Sequence, residues 1–498
     1  MDRLLVKNIA IRIIYLVLFL VLSNYIYSNW FFEKDIQEYS PVINRVRSVP
    51  NDADIIYIGE SSNTTFRDND IDKRPISAMI ADFFPKLNVY GITKEASHSG
   101  IYKILLSKIP KENTLKTLVV TLNLRSFNAQ WIYSDLETPL QKSMVLLKPY
   151  PPLYNRFMLS FKAYDIKTNR EREAQFKKQW VKDELVFPYK FPYKNVKEWD
   201  GGVYHSNILD SEGKKDYAKT ELSCHFIKAY GFQIDTLTNP RIKDFNDIVE
   251  LAKKRNWNLV FNLMAENTEK AEKLLGKDII YLMKSNRELL KKYYTNKGVL
   301  VVDNLTLVKD EDYIDQDWTT EHYAERGRHI IAANVSKAIS VFYKKYYKQI
   351  DYKSTYKTYF FNNCENSAIW NQSQTISSDF AYSGNKSSKI GKQDYYSITL
   401  EYPINAIPDS LKNEIIVNLM YKADNVNKDL KLVFEFHKKG ANSITKYYDI
   451  EYKNNNWTKF SAICTITDDI KSYDLLKVYV LNKGSVITYI DDFEIVIN

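Results

Sequence analysis

Residues 53–63 read ADIIYIGESSN, and the fold turns on how they are taken. The apolar run stops at Gly59, and Glu60, Ser61, Ser62 and Asn63 follow at once. A strand that is apolar at every position has both faces covered, which is the habit of a parallel sheet between helices. The residues downstream repeat the pattern. PISAMIADFF (75–84) sets Ile76, Met79, Ile80 and Phe83 on one helical face, and LNVYGI (87–92) is a second strand. GIYKILLSKI (100–109) is again helical, with Ile101, Ile104, Leu105 and Ile109 together, and TLVVTLNL (117–124) is a third strand. The predicted class is α/β, with strands joined by helical crossovers.

The alternation breaks over about 130–230, where LLKPYPPLYNRF and ELVFPYKFPYKNVKEWDGG are rich in Tyr, Phe, Pro and Lys. This reads as a partly helical insertion over one end of the sheet. The pattern resumes with a helix at 243–256, a fourth strand NLVFNLM (258–264), a long helix, a fifth strand GVLVVDNL (298–305) and a closing helix over 324–342. Beyond about 352 the texture changes to short alternating segments between Asn, Lys, Asp and Gly turns, such as NEIIVNLMYKA and LKLVFEFHKK. That pattern predicts an antiparallel β-sandwich over 355–498. The first domain is expected at 50–345.

The N-terminus, MDRLLVKNIAIRIIYLVLFLVLSNYIYSNWFF, sets Arg3, Lys7 and Arg12 before an apolar run and closes on Tyr25, Tyr27 and Trp30. Residues 13–32 are long enough to cross a bilayer, and the aromatic cluster suits the far interface. The basic flank predicts a cytoplasmic N-terminus, an anchor over 1–33 and an extracytoplasmic remainder. A cleaved signal peptide is the rival, and no A-x-A-like site favours it. The net charge of +9 is dispersed, with no basic tract of the kind that binds nucleic acid. Three cysteines, Cys224, Cys364 and Cys464, show no metal-ligand spacing; Cys364 and Cys464 pair only if the sandwich brings them together.

In a parallel α/β sheet, ligands bind beyond the carboxyl ends of the strands. Polar residues gather there: GESSN (59–63), TKEASHSG (93–100), NLRSFN (123–128), NLMAEN (262–267) and the segment holding His322. These blocks resemble those of the SGNH (GDSL-like) hydrolase superfamily, in order and over about 50–345 without the insertion. The resemblance implies a flavodoxin-like five-stranded parallel sheet with helices on both faces. IYIGESSN matches the first block, with Glu60 at the family's Asp position and Ser61 as the implied nucleophile. ASHSG implies Gly100 as an oxyanion donor. TLNLRSFN lacks the family's G-x-N-D, leaving Asn123, Arg125 or Asn128 for the next donor, with Asn123 favoured. DWTTEHYAERGR implies His322 as the base, but Thr319 stands where the family has its acid. Asp315, Asp317 and Glu321 are the acids at hand, and Asp317 is the expected orienter.

The chemistry stands without the family. A serine hydroxyl is a poor nucleophile until a neutral base takes its proton. With Thr319 or Thr320 as N-cap, His322 falls in a helix's first turn, where the dipole disfavours the charged ring. The same residues also have plainer readings. Ser61 and Ser62 can be a turn with a helix cap, and His322 a capping or packed histidine. Arg125, Asn128, Glu266 and Asn267 read as substrate contacts, or as a salt bridge and caps; His98 is incidental. In the C-terminal part, FAYSGNKSSKI (380–390) and YIDDFEIVI (489–497) resemble carbohydrate-binding jelly-roll modules. That resemblance implies sugar stacking by Trp370, Trp457 and tyrosines, and a calcium role for Asp491 and Asp492 unless these are ordinary turn acids. The expectation is a membrane-anchored esterase or O-acyltransferase acting on acyl groups of a surface polysaccharide, needing no metal or organic cofactor. The alternative is a non-catalytic, glycan-binding or accessory relative.

Overall fold

The computed structural model describes residues 3–68, 70–350, 358–365, 370–404, 407, 413–440, 442–453 and 455–497. The chain opens on α1 (Arg3–Trp30), followed by the short neck helices α2 (Phe32–Tyr39) and α3 (Ile43–Arg47). The described residues then build a five-stranded, wholly parallel sheet in the order β2-β1-β3-β4-β5. Its strands are β1 (Ile55–Gly59), β2 (Val89–Thr93), β3 (Thr117–Leu122), β4 (Asn258–Leu263) and β5 (Leu300–Asp303). This is the flavodoxin-like order, and strand connectivity reverses between β1 and β3.

Two-residue periodicity divides the sheet's side chains between two cores. Ile55, Tyr57, Val119 and Val260 pack with α4 (Ile76–Phe83) and α15 (Glu325–Ile339). Ile56, Ile58, Leu118, Val120 and Phe261 pack with α5 (Ser99–Leu106), α12 (Pro240–Arg255) and α14 (Lys277–Thr295). Between β3 and α12 the chain winds through helices α6 (Ala129–Ile132), α7 (Glu137–Met144), α8 (Pro152–Ser160), α9 (Asn169–Lys182), α10 (Val196–Ser206) and α11 (Tyr217–Tyr230). α13 (Thr268–Leu275) follows β4.

The C-terminal strands form two antiparallel sheets. One holds β13 (Thr458–Thr465), β10 (Glu414–Ala423), β15 (Thr488–Ile497), β8 (Ser387–Ile390) and β7 (Ile376–Ser377), with β6 (Thr358–Asn362) also on β15. The other is β12 (Ile444–Asp449), β11 (Leu430–His437), β14 (Leu475–Asn482) and β9 (Leu400–Pro403). Burial alternates strictly along β10, so Ile415, Val417, Leu419 and Tyr421 face the shared core. The domain boundary expected near 352–355 falls in 351–357, outside the described residues. Cys224, Cys364 and Cys464 are all buried free thiols, so the considered Cys364–Cys464 pair is not formed.

Two boundaries differ from the sequence reading. α15 starts at Glu325, behind Ala324 as N-cap, so His322 lies in extended chain before the helix and not in its first turn. α1 is long and apolar enough to cross a membrane over Val6–Trp30. Residues 6–22 are exposed throughout, but from Ser23 onward one side is covered by the folded body. The bare stretch therefore sits nearer the N-terminus than 13–32.

Candidate active site

The site is built where β1 gives out. Gly59 admits no side chain, since a Cβ there would lie 2.6 Å from Thr121 Oγ1 on β3. Glu60 then turns inward, and Ser61 opens a single tight turn, Ser61–Asn63. That turn's own bonding begins with Asn63 N to Glu60 O, which leaves the Ser61 and Ser62 amides without partners inside it. Asn63 fixes the turn from below: its Nδ2 donates to Thr93 Oγ1 at 2.8 Å, and its Oδ1 accepts from Ser77 N at 2.9 Å.

Ser61 Oγ lies 2.9 Å from His322 Nε2, and Asp315 Oδ2 lies 2.7 Å from His322 Nδ1. Thr320 donates its hydroxyl to the same Asp315 oxygen. The acid beside the ring is therefore Asp315, and the expected Asp317 is corrected. The cause is a clasp in the chain. Tyr313 pairs antiparallel with Tyr323, Ile314 N donates to His322 O at 2.9 Å, and Ala324 N to Asp312 O at 2.8 Å. Residues 315–321 thus close into a loop whose two stems set Asp315 beside His322, while Asp317 is left exposed. Arg328, fully buried, ties the serine's side to the histidine's side. Its Nη1 donates to Thr65 O at 3.0 Å, Asp70 Oδ2 at 3.0 Å and Tyr323 O at 2.9 Å. No motif marks Arg328 in the sequence; its one signal is its place one turn into the helix after His322.

Behind the serine and histidine lies a buried charged cluster. The residue before each is a glutamate: Glu60 before Ser61 and Glu321 before His322. Arg125 Nη2 donates to Glu321 Oε2 at 2.7 Å and stacks over Trp131 at 4.8 Å. Asn123 Nδ2 donates to Glu60 Oε1 at 2.7 Å, and Tyr230 OH to Glu266 Oε2 at 2.5 Å. Three buried carboxyls face one guanidinium, so not all can ionise. Burial, then the Glu321 charge, push the Glu60 carboxyl up to about 7, against the Asn123 donor and Arg125. The same two causes hold Glu266 well above the usual carboxylate range.

These contacts reassign the remaining expected residues. Gly100 N donates to His98 Nδ1 at 3.1 Å inside the first turn of α5, so it is not a free oxyanion donor. Asn123 is held by Glu60, which takes one of its two Nδ2 protons. Arg125 is an interior ion-pair partner and not a surface substrate contact. Asn128 caps α6, accepting from Trp131 N at 2.8 Å and donating to Ala229 O at 3.1 Å. Asn267 caps α13, accepting from Lys270 N at 3.1 Å. Glu266 is buried against Tyr230. His98 Nδ1 also faces Arg241 Nη1 at 2.7 Å and Nε2 meets Glu137 at 3.0 Å, so the ring is a structural strut. The loop after β2 is bonded to the end of β1 through Lys94 N and Gly59 O at 3.0 Å. In it Ala96 has φ +52°, a left-handed conformation that strains any residue with a Cβ.

The sandwich offers a second polar and aromatic surface. Tyr447 on β12 and Tyr479 on β14 both pair with Val433 on β11, which puts them on one outward face. Tyr396 packs edge-on against Tyr479 at 5.4 Å, and Tyr479 OH donates to Glu435 Oε2 at 3.2 Å. Trp370, expected on such a surface, is instead 6% exposed and packed on Phe493 in the core. Trp457 is half-buried against Tyr382. Asp491 accepts from the Tyr382 and Ser383 amides, and Asp492 pairs with Arg45 at 2.9 Å, so both acids serve protein donors where calcium ligation was weighed. A cleft of about 810 Å³ separates this domain from the β2 edge and is lined by Tyr39, Arg45, Phe66, Lys73 and Phe361. It reaches Asn63 and Thr64, but Ser61, His322 and Asp315 do not line it.

No protein-family model matches the chain, and no curated protein does. Among solved structures it is similar to a family 16 carbohydrate-binding module, at 15% identity over 24% of this chain and 81% of that one, TM-score 0.19. It is also similar to the CBM22-2 xylan-binding domain from Paenibacillus barcinonensis Xyn10C, at 13% identity over 28% of this chain and 99% of that one, TM-score 0.24. A third is the C-terminal family 22 carbohydrate-binding module of Clostridium thermocellum Xyn10B, at 12% identity over 30% and 96%, TM-score 0.23. Each likeness covers under a third of this chain.

Proposed function

We propose that the chain is an SGNH-type serine esterase or O-acyltransferase acting on acyl groups of a polysaccharide, anchored through α1 with its folded body outside the cytoplasm. The observation that carries this reading is the array Ser61 Oγ, His322 and Asp315, with contacts of 2.9 and 2.7 Å, at the carboxyl end of β1 beside the β1/β3 reversal. His322 Nε2 takes the Ser61 proton as Oγ attacks the ester carbonyl, and Asp315 holds the ring and stabilises its charged form. The oxyanion meets the Ser61 amide, which has no partner inside its own turn. Collapse releases the sugar hydroxyl, protonated by His322, and leaves an acyl-serine. Water or a second hydroxyl then takes the acyl group by the same steps in reverse. The outward tyrosines Tyr396, Tyr447 and Tyr479 stack on sugar rings, whose apolar faces suit aromatic rings. The anchor reading draws support from α1 itself, which is long and apolar enough to cross a membrane over Val6–Trp30 and is bare over 6–22.

A second reading, a glycan-binding accessory relative without turnover, is favoured by the engagement of Gly100 and Asn123 elsewhere. Labelling the detergent-solubilised full chain with a fluorophosphonate separates the two. A stoichiometric adduct on Ser61 that is lost in His322→Ala is the expected result. No adduct, together with no hydrolysis of small acetyl esters, leaves the accessory reading standing.

A further inference from the structure

Helix α8 of the insertion has two unlike faces. Asn155 and Leu159 are buried, and Asn155 Nδ2 donates to the carbonyls of Leu146 and Lys148 at 3.2 and 2.9 Å, which fixes the helix on the body. The outward side is an aromatic stripe that runs past both ends of the helix. Tyr150, Tyr154, Phe157 and Phe161 are 55, 49, 43 and 78% exposed, far more than large rings ordinarily leave to water. They touch in pairs, Tyr150 on Tyr154 at 5.4 Å and Phe157 on Phe161 at 6.2 Å. The site described above makes no use of them.

The place of this helix says what covers the stripe. α8 docks on α1 at the point where α1 ceases to be bare. Leu153 N donates to Asn24 Oδ1 at 3.0 Å, two residues past the exposed stretch 6–22. One turn on, Arg156 Nε meets Asp35 Oδ2 at 2.9 Å, and Tyr27 OH donates to that same oxygen at 2.7 Å. The bare stretch measures about 26 Å at 1.5 Å per residue, close to a bilayer's hydrocarbon thickness of about 30 Å, provided that Lys7 and Arg12 in its first half reach back to the inner headgroups along their apolar stems. With α1 across a bilayer, α8 sits at the level where headgroups begin. Aromatic rings at that depth, with Lys162 and Lys167 exposed beyond them, are the composition of an interfacial helix.

We propose that α8 lies on the outer surface of the same membrane that α1 crosses, with its Tyr150–Phe161 stripe in the headgroup–acyl boundary. The body would then stand on two contacts, which fixes its tilt as well as its tether. The proposal rests on the anchor reading of α1.

The test uses the chain's own chemistry. All three native thiols are buried, so Phe157→Cys gives a single exposed site for a nitroxide label. The full chain is reconstituted in phosphatidylcholine–phosphatidylglycerol vesicles, with Leu16→Cys on α1 and Lys177→Cys on α9 as references. The expected result is a ratio of oxygen to nickel-chelate accessibility at position 157 severalfold above that at 177 and approaching that at 16. A lipid-exposed label at 16 with a water-exposed one at 157 overturns the interfacial helix and spares the anchor. Water exposure at both 16 and 157 overturns both. Spin–spin broadening at 157 that persists in detergent assigns the stripe to a second copy and also overturns the proposal.

Discussion

Asp315 Oδ2 and His322 Nδ1 face each other at 2.7 Å across the mouth of a seven-residue loop, 315–321, closed by the Ile314–His322 backbone bond beside the Tyr313–Tyr323 bridge. On the proposed chemistry, Asp315→Asn presents the ring with a donor where it needs an acceptor and favours the wrong tautomer. Ester turnover is expected to fall by roughly 10³- to 10⁴-fold, while Asp317→Asn leaves it unchanged. Initial rates on a chromogenic acetyl ester measure both, and equal loss in the two variants would return the role to a general effect of loop charge.

Glu60 gives a pH signature in stability. Its folded carboxyl keeps the proton up to about 7, whereas an unfolded glutamate loses it near about 4.3. Between those values the folded state binds more protons, so its stability falls as pH rises and is level above. Glu60→Gln keeps an acceptor for Asn123 and carries no charge. The expected outcome is a shallower decline in Tm from pH 5 to pH 8 than in the parent, with a residue of slope from Glu266, whose shift has the same sign.

Arg328 holds the two halves of the site together from inside. Arg328→Leu leaves Asp70 and the carbonyls of Thr65, Asp72 and Tyr323 without their buried donor, and removal of one partner from such a pair costs about 3–5 kcal/mol. Chemical denaturation of the full chain is expected to show a loss of that size, and fluorophosphonate labelling of the still-folded fraction to slow as Ser61 and His322 lose register.

On the sandwich, Tyr447→Ala and Tyr479→Ala are expected to abolish retardation in polysaccharide-containing gels while the domain stays folded. Trp370→Ala does the reverse in kind: it opens a core cavity beside Phe493, with about 3–5 kcal/mol of stability lost. Retardation that survives both tyrosine changes moves any glycan contact off this face.

The sheet was legible because parallel strands covered on both sides are written as unbroken apolar runs, as at Ile55–Gly59 and Thr117–Leu122. Ser61 and His322 stood out because each follows a strand or precedes a helix at the sheet's carboxyl end. Asp315 did not, because proximity within a closed loop depends on which residues form its stems, and spacing from His322 carries no trace of the Tyr313–Tyr323 pairing. Gly100 and Asn123 misled for a related reason. Their partners, His98 and Glu60, lie in the same set of polar blocks, but whether a buried polar group faces the cleft or its neighbour is settled by packing. Trp370 shows the same limit, since an aromatic residue among turns has no periodicity to tell core from surface.

The pair Arg45–Asp492 joins residues 447 positions apart, one in the neck just after α1 and the other in the last strand. Tyr382 OH adds a bond to Ser48 O on the same neck at 3.4 Å. Synthesis runs from the N-terminus, so the neck leaves the ribosome well before its ionic partner. The neck therefore stays unlatched until β15 has been made and has folded. A product truncated before β15 keeps every residue of the serine, histidine and aspartate array but lacks that latch.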